Sequence, residues 1–441
     1  MPRILIVGGG YAGFYTAWTL QKRLRRGEAE VTVVDPLPYM TYQPFLPEVA
    51  AGSIEPRYAV VSHRRHLKRT RIVTAKVTAV DPARSVATIT PPVGEPWEEP
   101  YDVLVVTAGA VTRTFPIPGV AEEAIGMKTI EEASNVRDRL LANVDRASNL
   151  AAGDPRKARL LTVAVVGGGF AGIETIAELR SLASALVRQY PTIDFEETSF
   201  HLIEAMGRIM PEVSLKTSQW VIADLAKRGV TVHLDTQLSS AVGGRLELST
   251  GEVLESDLVI WTAGVVPNPA SRDYGLPLDA RGRITARADL RVIDADGAVV
   301  PGVWTAGDVS AVPDLSGGGV GGFCVPNAQH AVRQGKRLAK NILATLRGED
   351  AIDYVHKNAG AVAGLGLYNG VFQSGRLALT GFIAWLAHRG YHGLAMPTWE
   401  RKLRVIAEWV VNFVLRRDTI ALEAQEHPRA AFEEFAARPK G

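Results

Sequence analysis

The 441-residue chain contains a single cysteine, Cys324. One thiol excludes an intramolecular disulfide, a CxxC redox pair and a cysteine-ligated cluster. The nine histidines form no group with metal-ligand spacing, so we expect no metal site. We therefore interpret Cys324 as a small packed residue.

The chain also lacks a strong excess of one charge. A formal net charge of +2, with 46% apolar and 22% charged residues, is typical of an ordered globular protein of two or three domains. No basic stripe interleaved with aromatic residues indicates binding to nucleic acid. Because the chain begins MPRILIVGGG, the first apolar strand leaves no room for a signal or transit peptide, and we expect none.

What the chain does have is one glycine-rich pattern in two copies. Residues 4–13 read ILIVGGGYAG and residues 163–172 read VAVVGGGFAG. A single copy could be an ordinary strand-to-helix turn, but each copy has the form that a dinucleotide site needs. The first glycine allows the turn, the next lets the backbone approach a pyrophosphate, and the last packs the helix on the sheet. Two such sites indicate one resident cofactor, one visiting cofactor and electron transfer between them.

The repeat extends beyond the glycines. Asp102 and Asp257 follow the two copies at nearly matching offsets, and each precedes an apolar strand and a T-A-G turn. Matching internal spacing predicts a duplicated domain. Asp35 and Glu204 end the second strand of each copy, where a carboxylate either accepts ribose hydroxyls or serves only as a turn residue.

Alternating strand and helix patterns predict parallel sheets with crossover helices. The fold class is therefore α/β, with two Rossmann-like dinucleotide-binding domains. The segment RTFPIPGV at 113–120 is interpreted as an inter-domain crossing. A third T-A-G turn ends in Asp308 and predicts a return to the first domain. Asp308 either caps a helix or contacts the ribityl or phosphate chain of a flavin.

The C-terminal tail has a different character. The uncharged run at 377–387 is far shorter than the roughly 20 residues that cross a bilayer. A helix with an apolar stripe and basic flanks follows it, which suits an anionic membrane surface. The same stripe could instead pack on the protein itself or on a second subunit. Its residues are Trp399, Leu403, Ile406, Val410 and Phe413.

These motifs resemble those of the type II NADH:quinone oxidoreductases, the single-chain respiratory NADH dehydrogenases that do not pump protons. The resemblance covers nearly the whole chain. It includes TYQPFLPEVAAG at 41–52, GGGFAGIETIAEL at 167–179, IWTAGVVPNP at 260–269, VWTAGDVSAVPD at 303–314 and NAQHAVRQGKRLAKNI at 327–342. The sequences at 379–391 and 399–418 resemble the C-terminal membrane-binding module of that family.

The resemblance implies a non-covalent FAD and NADH as substrate. The residues implied at FAD are Gly8, Gly9, Gly10, Gly13, Asp35, Thr107, Ala108, Gly109 and Asp308, and those implied at NADH are Gly167, Gly169, Gly172, Glu204 and Gly264. Glu174 matches a carboxylate near the reacting rings, where it either relays protons or only contacts substrate. Ala328, Gln329 and Gln334 match the AQ-x-A quinone motif. Here the second glutamine comes one residue later than in the usual form of the motif, which favours Gln329 over Gln334 as the quinone-site residue.

The resemblance also implies the activity and its setting. A hydride passes from NADH to FAD, and two electrons pass on to a membrane quinone. The expected domains are FAD binding at 1–115 and 286–375, NADH binding at 116–285 and a membrane-association module at 376–441. We expect a peripheral membrane protein on the cytoplasmic face of a bacterial plasma membrane. Alternatively, the apolar face of the tail could form a homodimer interface.

Two other functions share most of these features. A soluble NAD(P)H-dependent reductase of a small redox protein would match up to the tail but lack its basic, tryptophan-bearing helix. A non-catalytic NADH-sensing flavoprotein would keep both nucleotide sites without turnover. The thiol-dependent relatives need two cysteines, and they are disfavoured because Cys324 is the single cysteine of this chain.

Overall fold

The structure is a computed structural model that describes residues 1–356, 360–421 and 429–437. The chain folds as two units, each built from three segments. Unit 1 comprises Met1–Tyr42, Val60–Arg113 and Val265–Ala359, and unit 2 comprises Gln43–Ala59, Thr114–Gly264 and Gly360–Gly441.

Unit 1 contains the first glycine cluster. Its helices are α1 (Tyr11–Arg23), α3 (His63–His66) and α9 (Ala328–Leu346). Its strands are β1 (Arg3–Val7), β2 (Glu30–Asp35), β3 (Tyr39–Thr41), β4 (Val60–Ser62), β5 (Arg71–Thr74), β6 (Lys76–Asp81), β7 (Val86–Thr90), β8 (Trp97–Pro100), β9 (Val103–Val106), β10 (Ala110–Thr112), β19 (Val265–Pro267), β20 (Ile284–Thr285), β21 (Arg291–Ile293), β22 (Val299–Thr305) and β23 (Ser310–Ala311).

The central sheet of unit 1 has the strand order β21-β22-β9-β1-β2-β5. All neighbours are parallel except β21, and β1 is the central strand between β9 and β2. β1 and β9 are apolar and buried along nearly their whole length, as strands covered on both faces must be. α9 crosses α1 closely because Gly335 has no side chain to meet the carbonyl oxygen of Ala12.

Unit 2 contains the second glycine cluster and the tail. Its helices are α2 (Leu46–Ala50), α4 (Val120–Glu123), α5 (Ile130–Ser148), α6 (Pro155–Leu160), α7 (Phe170–Val187), α8 (Leu215–Lys227), α10 (Phe382–Ala395), α11 (Trp399–Leu415) and α12 (Ala430–Ala437). Its strands are β11 (Ala124–Gly126), β12 (Thr162–Val166), β13 (Ser199–Ile203), β14 (Val230–His233), β15 (Leu238–Ser240), β16 (Arg245–Leu248), β17 (Val253–Glu255), β18 (Leu258–Trp261), β24 (Ala361–Gly364), β25 (Gly370–Ser374) and β26 (Leu377–Thr380).

The central sheet of unit 2 repeats the arrangement of unit 1. Its order is β11-β18-β12-β13-β14, entirely parallel, with β12 between β18 and β13. In both units the strand before the glycines therefore pairs with the strand that ends in an acid and with the strand that ends in T-A-G. Ligands of such sheets bind where the strand order reverses, at the carboxyl edge. The predicted α/β class with two Rossmann-like domains is confirmed.

The unit boundaries differ from those expected from the sequence. The chain returns to unit 1 at Val265 rather than at 286, because β19 pairs with β10 and Tyr274 is buried in the unit 1 core. The Tyr274 hydroxyl donates to the Val77 carbonyl oxygen at 3.2 Å. The segment Gln43–Ala59 belongs to unit 2, where α2 packs against α5 and α7.

The segment before α10 forms an antiparallel sheet that the sequence did not predict. β24, β25 and β26 form it, and α10 packs on this sheet. The uncharged run at 377–387 is therefore divided between β26 and α10. None of the helices among the described residues is long and apolar enough to cross a membrane.

Candidate functional site

The first glycine cluster forms the turn between β1 and α1. A Cβ placed on Gly8, whose φ is +95°, would lie 2.5 Å from the carbonyl oxygen of Thr107, and one on Gly13 would collide with the carbonyl oxygen of Gly8. A Cβ on Gly10, in contrast, would meet no described atom within 4 Å. The turn is therefore closely packed at Gly8 and Gly13 and open at Gly10, which leaves room for a phosphate.

Asp35 holds this turn against the neighbouring strand. Its Oδ2 accepts a hydrogen bond from the Gly9 N–H at 2.6 Å, and its Oδ1 accepts one from the Leu37 N–H at 2.7 Å. His63 supports the other side, with its buried Nε2 2.9 Å from the Gly9 carbonyl oxygen. Burial lowers the pKa of His63, so a neutral ring donates this bond. No sequence pattern singled out His63.

The first T-A-G turn lies beside the glycines at the same edge of the sheet. The Thr107 hydroxyl is within hydrogen-bonding distance of two carbonyl oxygens, at 3.0 Å from Val7 and 2.9 Å from Gly8. Asn268 holds the next two residues: its side-chain amide donates to the Ala108 carbonyl and its N–H to the Gly109 carbonyl. Gly109 itself faces open space among the described residues.

The third T-A-G turn, at the end of β22, places Asp308 at this edge as well. β22 pairs with β9, so Asp308 follows a strand adjacent to the one that ends at Thr107. Gly307 donates its N–H to Oε1 of Gln334 at 2.7 Å, and Gln334 is buried. Gln334 therefore anchors the turn that carries Asp308.

Gln329 has a different position on the same helix. It is half-buried near the start of α9, directly after Ala328, and its side-chain oxygen lies 3.4 Å from the guanidinium of Arg333. The structure thus separates the two glutamines of the AQHAVRQ motif. The buried side chain of Gln334 accepts a hydrogen bond from a backbone N–H, whereas Gln329 lies at the more accessible N-terminal end of α9.

Unit 2 builds the same cradle from the second glycine cluster. A Cβ on Gly167 would lie 2.8 Å from backbone carbon of Thr262, and one on Gly172 would collide with the Gly167 carbonyl oxygen, while Gly169 faces open space among the described residues. The Thr262 hydroxyl is 2.9 Å from the Val166 carbonyl oxygen and repeats the role of Thr107. Gly264 ends this turn with a φ of +104°.

Glu204 repeats the role of Asp35. Its Oε2 accepts from the Gly168 N–H at 2.6 Å and its Oε1 from the Met206 N–H at 2.8 Å. Arg208 lies nearby in sequence, but its guanidinium donates to backbone carbonyl oxygens, including that of Val213 at 2.6 Å. Of these two charged side chains, only that of Glu204 therefore contacts the glycine turn at the end of β13.

Glu174 lies on α7, two residues after Gly172 of the second glycine cluster. Its Oε1 accepts a hydrogen bond from the Gly364 N–H at 2.9 Å and lies 3.2 Å from Nε2 of His388. Glu174 and the cradle of Gly167, Gly169 and Glu204 all belong to unit 2. This carboxylate is therefore contacted both by β24 and by the tail helix α10.

Helix α11 packs against the rest of unit 2 with one face only. Val405 is fully buried, the Trp409 indole donates to Oε2 of Glu48 at 3.0 Å, and Asn412 donates to the Ser53 carbonyl oxygen. The other side is exposed, with Trp399 75% and Phe413 74% accessible. We call Trp399, Leu403, Ile406, Val410 and Phe413 the tail stripe, and all five are exposed.

Cys324 is buried, as a packed residue would be, and burial raises the pKa of its thiol to about 11. Within the described ranges, no group of three or more histidine, cysteine, aspartate or glutamate side chains is placed to hold a metal ion.

Comparison with known families agrees with these two cradles. The family model described as pyridine nucleotide-disulphide oxidoreductase matches residues 2–335, which is more than half of the chain. The chain belongs to this family. Within the pyridine nucleotide-disulphide oxidoreductases, a single buried cysteine leaves this member without an internal disulphide partner.

The relatives agree with the resemblance seen in the sequence. The type II NADH:quinone oxidoreductase Ndh of Mycobacterium tuberculosis is 29% identical, over 98% of this chain and 93% of that protein. The type II NADH:quinone oxidoreductase of Staphylococcus haemolyticus is also 29% identical, over 84% and 89%. The resemblance to type II NADH:quinone oxidoreductases is thereby confirmed.

A solved structure shows the same fold. The structure of NDH2 from Plasmodium falciparum in complex with NADH has a TM-score of 0.87, covers 95% of this chain and 99% of that chain, and is 18% identical. At this identity the match supports the fold, including the tail, since the coverage extends beyond residues 2–335.

Proposed function

We propose that this protein is a non-proton-pumping NADH:quinone oxidoreductase that uses FAD. The observation that carries the proposal is the pair of matching cradles, each with one open glycine and one carboxylate, in a chain that resembles the type II enzymes over nearly its full length. Two dinucleotide sites in one chain suit a resident cofactor and a substrate.

FAD fits the cradle of unit 1. The N–H groups at the start of α1 point to the space beside Gly10, where among the described residues no side chain caps the helix and no acidic side chain stands in the first turn. A pyrophosphate there would gain hydrogen bonds and the positive end of the helix dipole. Asp35 would accept ribose hydroxyls, and Asp308 would face the ribityl or phosphate chain. FAD, when bound, supplies the two-electron chemistry that accepts a hydride from NADH.

NADH fits the cradle of unit 2. The start of α7 beside Gly169 is likewise without a side-chain cap or a first-turn acid among the described residues. Glu204 would accept the hydroxyls of the adenosine ribose and repel a 2′-phosphate. Glu174, on the same helix, would stand near the nicotinamide and contribute to proton transfer.

The quinone is assigned to the accessible end of α9 and the lipid to the tail stripe. Ala328 and Gln329 are the residues that match the quinone motif. The tail stripe, with Arg404 and Lys402 on the same helix, would lie on the anionic surface of one leaflet, with its side chains about 5–10 Å deep. In a bacterium this surface is the cytoplasmic face of the plasma membrane. A homodimer formed through the same stripe is an alternative outcome of the vesicle test below.

Steady-state NADH oxidation with a soluble quinone analogue tests the activity. We expect turnover that requires both NADH and quinone and is much slower with ferredoxin- or rubredoxin-type proteins as acceptors. Faster reduction of a small redox protein would favour the soluble reductase. NADH binding without turnover with any acceptor would favour the sensor.

The purified protein tests the cofactor. We expect a flavin absorption spectrum, with FAD released into the supernatant when the protein is denatured by heat or acid. FMN in the supernatant, or flavin that stays with the denatured chain, would contradict the assignment to a non-covalent FAD.

A further inference from the structure

The carboxyl edge of the unit 2 sheet carries a second acidic residue besides Glu204. β13 and β14 are parallel neighbours, so the residues that follow Ile203 and His233 lie at the same edge of the sheet. Glu204 follows β13 directly, and Asp235 follows β14 after one intervening residue. The cradle proposed above for NADH uses only the first of these two acids.

Three backbone hydrogen bonds hold the segments after β13 and β14 side by side. The Glu204 N–H donates to the His233 carbonyl oxygen at 2.9 Å, and the Thr236 N–H donates to the Glu204 carbonyl oxygen at 3.0 Å. The Asp235 N–H donates to the Met206 carbonyl oxygen at 3.1 Å. The position of Asp235 beside the loop that follows Glu204 is therefore fixed by the backbone.

The side chain of Asp235 lies against this loop. A Cβ placed on Gly207 would be 3.1 Å from Oδ1 and 3.3 Å from Oδ2 of Asp235. Met206 and Gly207 are exposed, and the Met206 N–H donates to Oε1 of Glu204 at 2.8 Å. One short exposed loop is therefore in contact with both carboxylates.

The backbone conformation at Asp235 suits only a few residue types. Its φ is +49°, in the left-handed region that most side chains avoid. Glycine, asparagine and aspartate adopt this conformation with the least strain. The buried Thr236 holds the turn from the next position, since its hydroxyl donates to the Leu234 carbonyl oxygen at 2.8 Å.

The two acids differ in how far their charge is compensated. Both carboxylate oxygens of Glu204 accept backbone N–H groups, one from Gly168 and one from Met206. The carboxylate of Asp235 accepts no hydrogen bond and forms no ion pair within the part of the chain that the structure describes, and the residue is exposed. Asp235 therefore keeps an uncompensated negative charge at this edge of the sheet.

The cation that follows Glu204 in the sequence does not offset this charge. Arg208 donates from its guanidinium to the Val213 carbonyl oxygen at 2.6 Å and lies 3.4 Å from that of Met210. Among the described residues, Arg208 forms an ion pair with neither Glu204 nor Asp235. A ligand at this edge therefore meets two carboxylates.

We propose that Asp235 is a second residue that sets the preference for NADH over NADPH, an inference that rests on the NADH site proposed above. NADPH differs from NADH by a 2′-phosphate on the adenosine ribose, and a phosphate monoester carries about two negative charges at neutral pH. With Glu204 at the ribose hydroxyls, this phosphate faces both carboxylates. Repulsion of this kind discriminates against NADPH without requiring a contact between Asp235 and NADH.

The exposure of Asp235 gives its repulsion a recognisable dependence on salt. Interactions between exposed charges are screened over about 10 Å at 0.1 M salt and over about 3 Å at 1 M salt. The part of the discrimination that is due to Asp235 should therefore shrink as salt is added. A change of preference caused by distortion of the loop would not follow the salt concentration in this way.

Substitutions of matched shape test the proposal in the flavin-loaded, full-length protein. Asp235→Asn removes the charge and keeps a side chain that tolerates the left-handed backbone, and Asp235→Gly removes the charge together with the side chain. Glu122→Gln is the control, because this exposed carboxylate of unit 2 precedes β11 and so lies at the opposite edge of the parallel sheet.

The measured quantities are the second-order rate constants for anaerobic flavin reduction by NADH and by NADPH, at about 0.1 M and about 1 M salt. We expect each Asp235 variant to shift the NADPH-to-NADH ratio towards NADPH by about tenfold at the lower salt, as like charges at a hydrated surface produce. The shift should largely disappear at the higher salt. Combining Asp235→Asn with Glu204→Gln should give a larger shift than either change alone, and Glu122→Gln should keep the wild-type ratio.

Calorimetric titration supplies a readout without turnover. In the flavin-loaded protein, FAD fills the unit 1 cradle, so ADP and 2′-phospho-ADP probe the adenosine part of the second cradle. We expect Asp235→Asn to strengthen the binding of 2′-phospho-ADP relative to ADP by the same factor as the kinetic ratio. Equal changes in affinity for the two ligands would mean that Asp235 only supports the loop, and would overturn the proposal.

The other outcomes distinguish this proposal from the proposed function. A ratio unchanged by Asp235→Asn, or a shift that persists at the higher salt, would overturn the role of Asp235 and leave the NADH:quinone activity standing. The expected shift in a protein that reduces no quinone would overturn the proposed function and leave the role of Asp235 standing. A protein that neither binds ADP nor is reduced by NADH would overturn both.

Discussion

The side chain of Glu204 accepts a 2.6 Å hydrogen bond from the backbone N–H of Gly168. Asp35 accepts one of the same length from Gly9 in the other unit. The acid that ends the second strand therefore fixes the glycine turn even before a nucleotide binds. Each carboxylate oxygen has a further lone pair for a ribose hydroxyl. We therefore propose that one residue in each unit both holds the glycine turn and recognises the nucleotide.

Replacing Glu204 by Gln should narrow the preference for NADH over NADPH. The amide oxygen can still accept from Gly168, so the turn should persist, while the charge that repels a 2′-phosphate is lost. We expect kcat/KM to fall for NADH and rise for NADPH, changing their ratio by about 10- to 100-fold, or about 1.4–2.8 kcal/mol. Glu252→Gln, an exposed change in the same unit, is the control. An unchanged ratio would show that Glu204 does not discriminate.

Two glycines of one turn should respond differently to alanine. Gly169 has a negative φ and faces open space, so Gly169→Ala should fold normally but weaken NADH binding, because its methyl group occupies the space of the pyrophosphate. Gly172→Ala forces a methyl group against the Gly167 carbonyl and should lower the free energy of unfolding by about 1–3 kcal/mol or more. NADH titration and thermal unfolding of both variants measure this. Equal stability losses would contradict it.

The two glutamines of α9 should separate quinone reduction from flavin retention. Gln334→Ala removes the acceptor of the Gly307 N–H inside unit 1 and should cost about 1–3 kcal/mol of stability and release FAD. Gln329→Ala should leave the FAD content and flavin bleaching by NADH unchanged and slow quinone turnover. If bleaching slows as much as turnover, Gln329 is not on the quinone side of the reaction.

The tail stripe should bind anionic vesicles. Trp399→Glu and Phe413→Glu place a charge on exposed positions of α11 and should weaken co-sedimentation by about tenfold or more, the value of one large apolar side chain. Turnover with a soluble quinone should persist, and turnover with a lipid-embedded quinone should fall. Leu215→Glu, an exposed change on α8, is the control. Undiminished binding accompanied by dissociation of a dimer would assign the stripe to a subunit interface.

Deletion of the whole tail is a weaker test than these substitutions. A chain that ends near residue 376 would lose Arg417, the partner of buried Glu178, and Trp409, the partner of buried Glu48. Leaving a buried charge without its partner costs about 3–5 kcal/mol. We therefore expect the truncated protein to be destabilised, so its loss of membrane binding would not by itself identify a lipid surface.

Acid should destabilise unit 2 through His201. Burial and the charge of His233 lower the pKa of His201 to about 4, from 6.5. The unfolded chain therefore binds more protons than the folded one between these values, and stability falls as the pH drops from 6.5 towards 4. His201→Gln should lose less stability across that interval, measured as the change in Tm, whereas both proteins should behave alike above it. Identical slopes would contradict the low pKa.

Much of the fold could be predicted because the glycine turns are local. At Gly8, Gly13 and their counterparts, a side chain would collide with backbone atoms of the turn itself or of the T-A-G segment. The repeat in the sequence shows both the glycines and the T-A-G segments. Thr262 was within reach of the same reasoning, since it occupies the place of Thr107. The two acids could be located from the sequence because they stand at the ends of β2 and β13.

The parts that escaped prediction depend on contacts distant in the sequence. Nothing near His63 indicates that its ring meets Gly9, and nothing near His388 indicates that it lies between Glu48 and Glu174. The tail stripe was predicted as a helix face, but the opposite face of α11, with Trp409 bound to Glu48, could not be. Periodicity identifies an apolar face without identifying the surface it meets.

The most direct measurement is an anaerobic titration of the flavin-loaded protein with NADH and a soluble quinone analogue, in which NADH and quinol are both quantified. For protein with both nucleotide cradles intact, the account predicts one quinol for each NADH consumed. It also predicts that thiol reagents do not inhibit the reaction through Cys324. NADH oxidation without quinol, or a requirement for a thiol or protein acceptor, would contradict it.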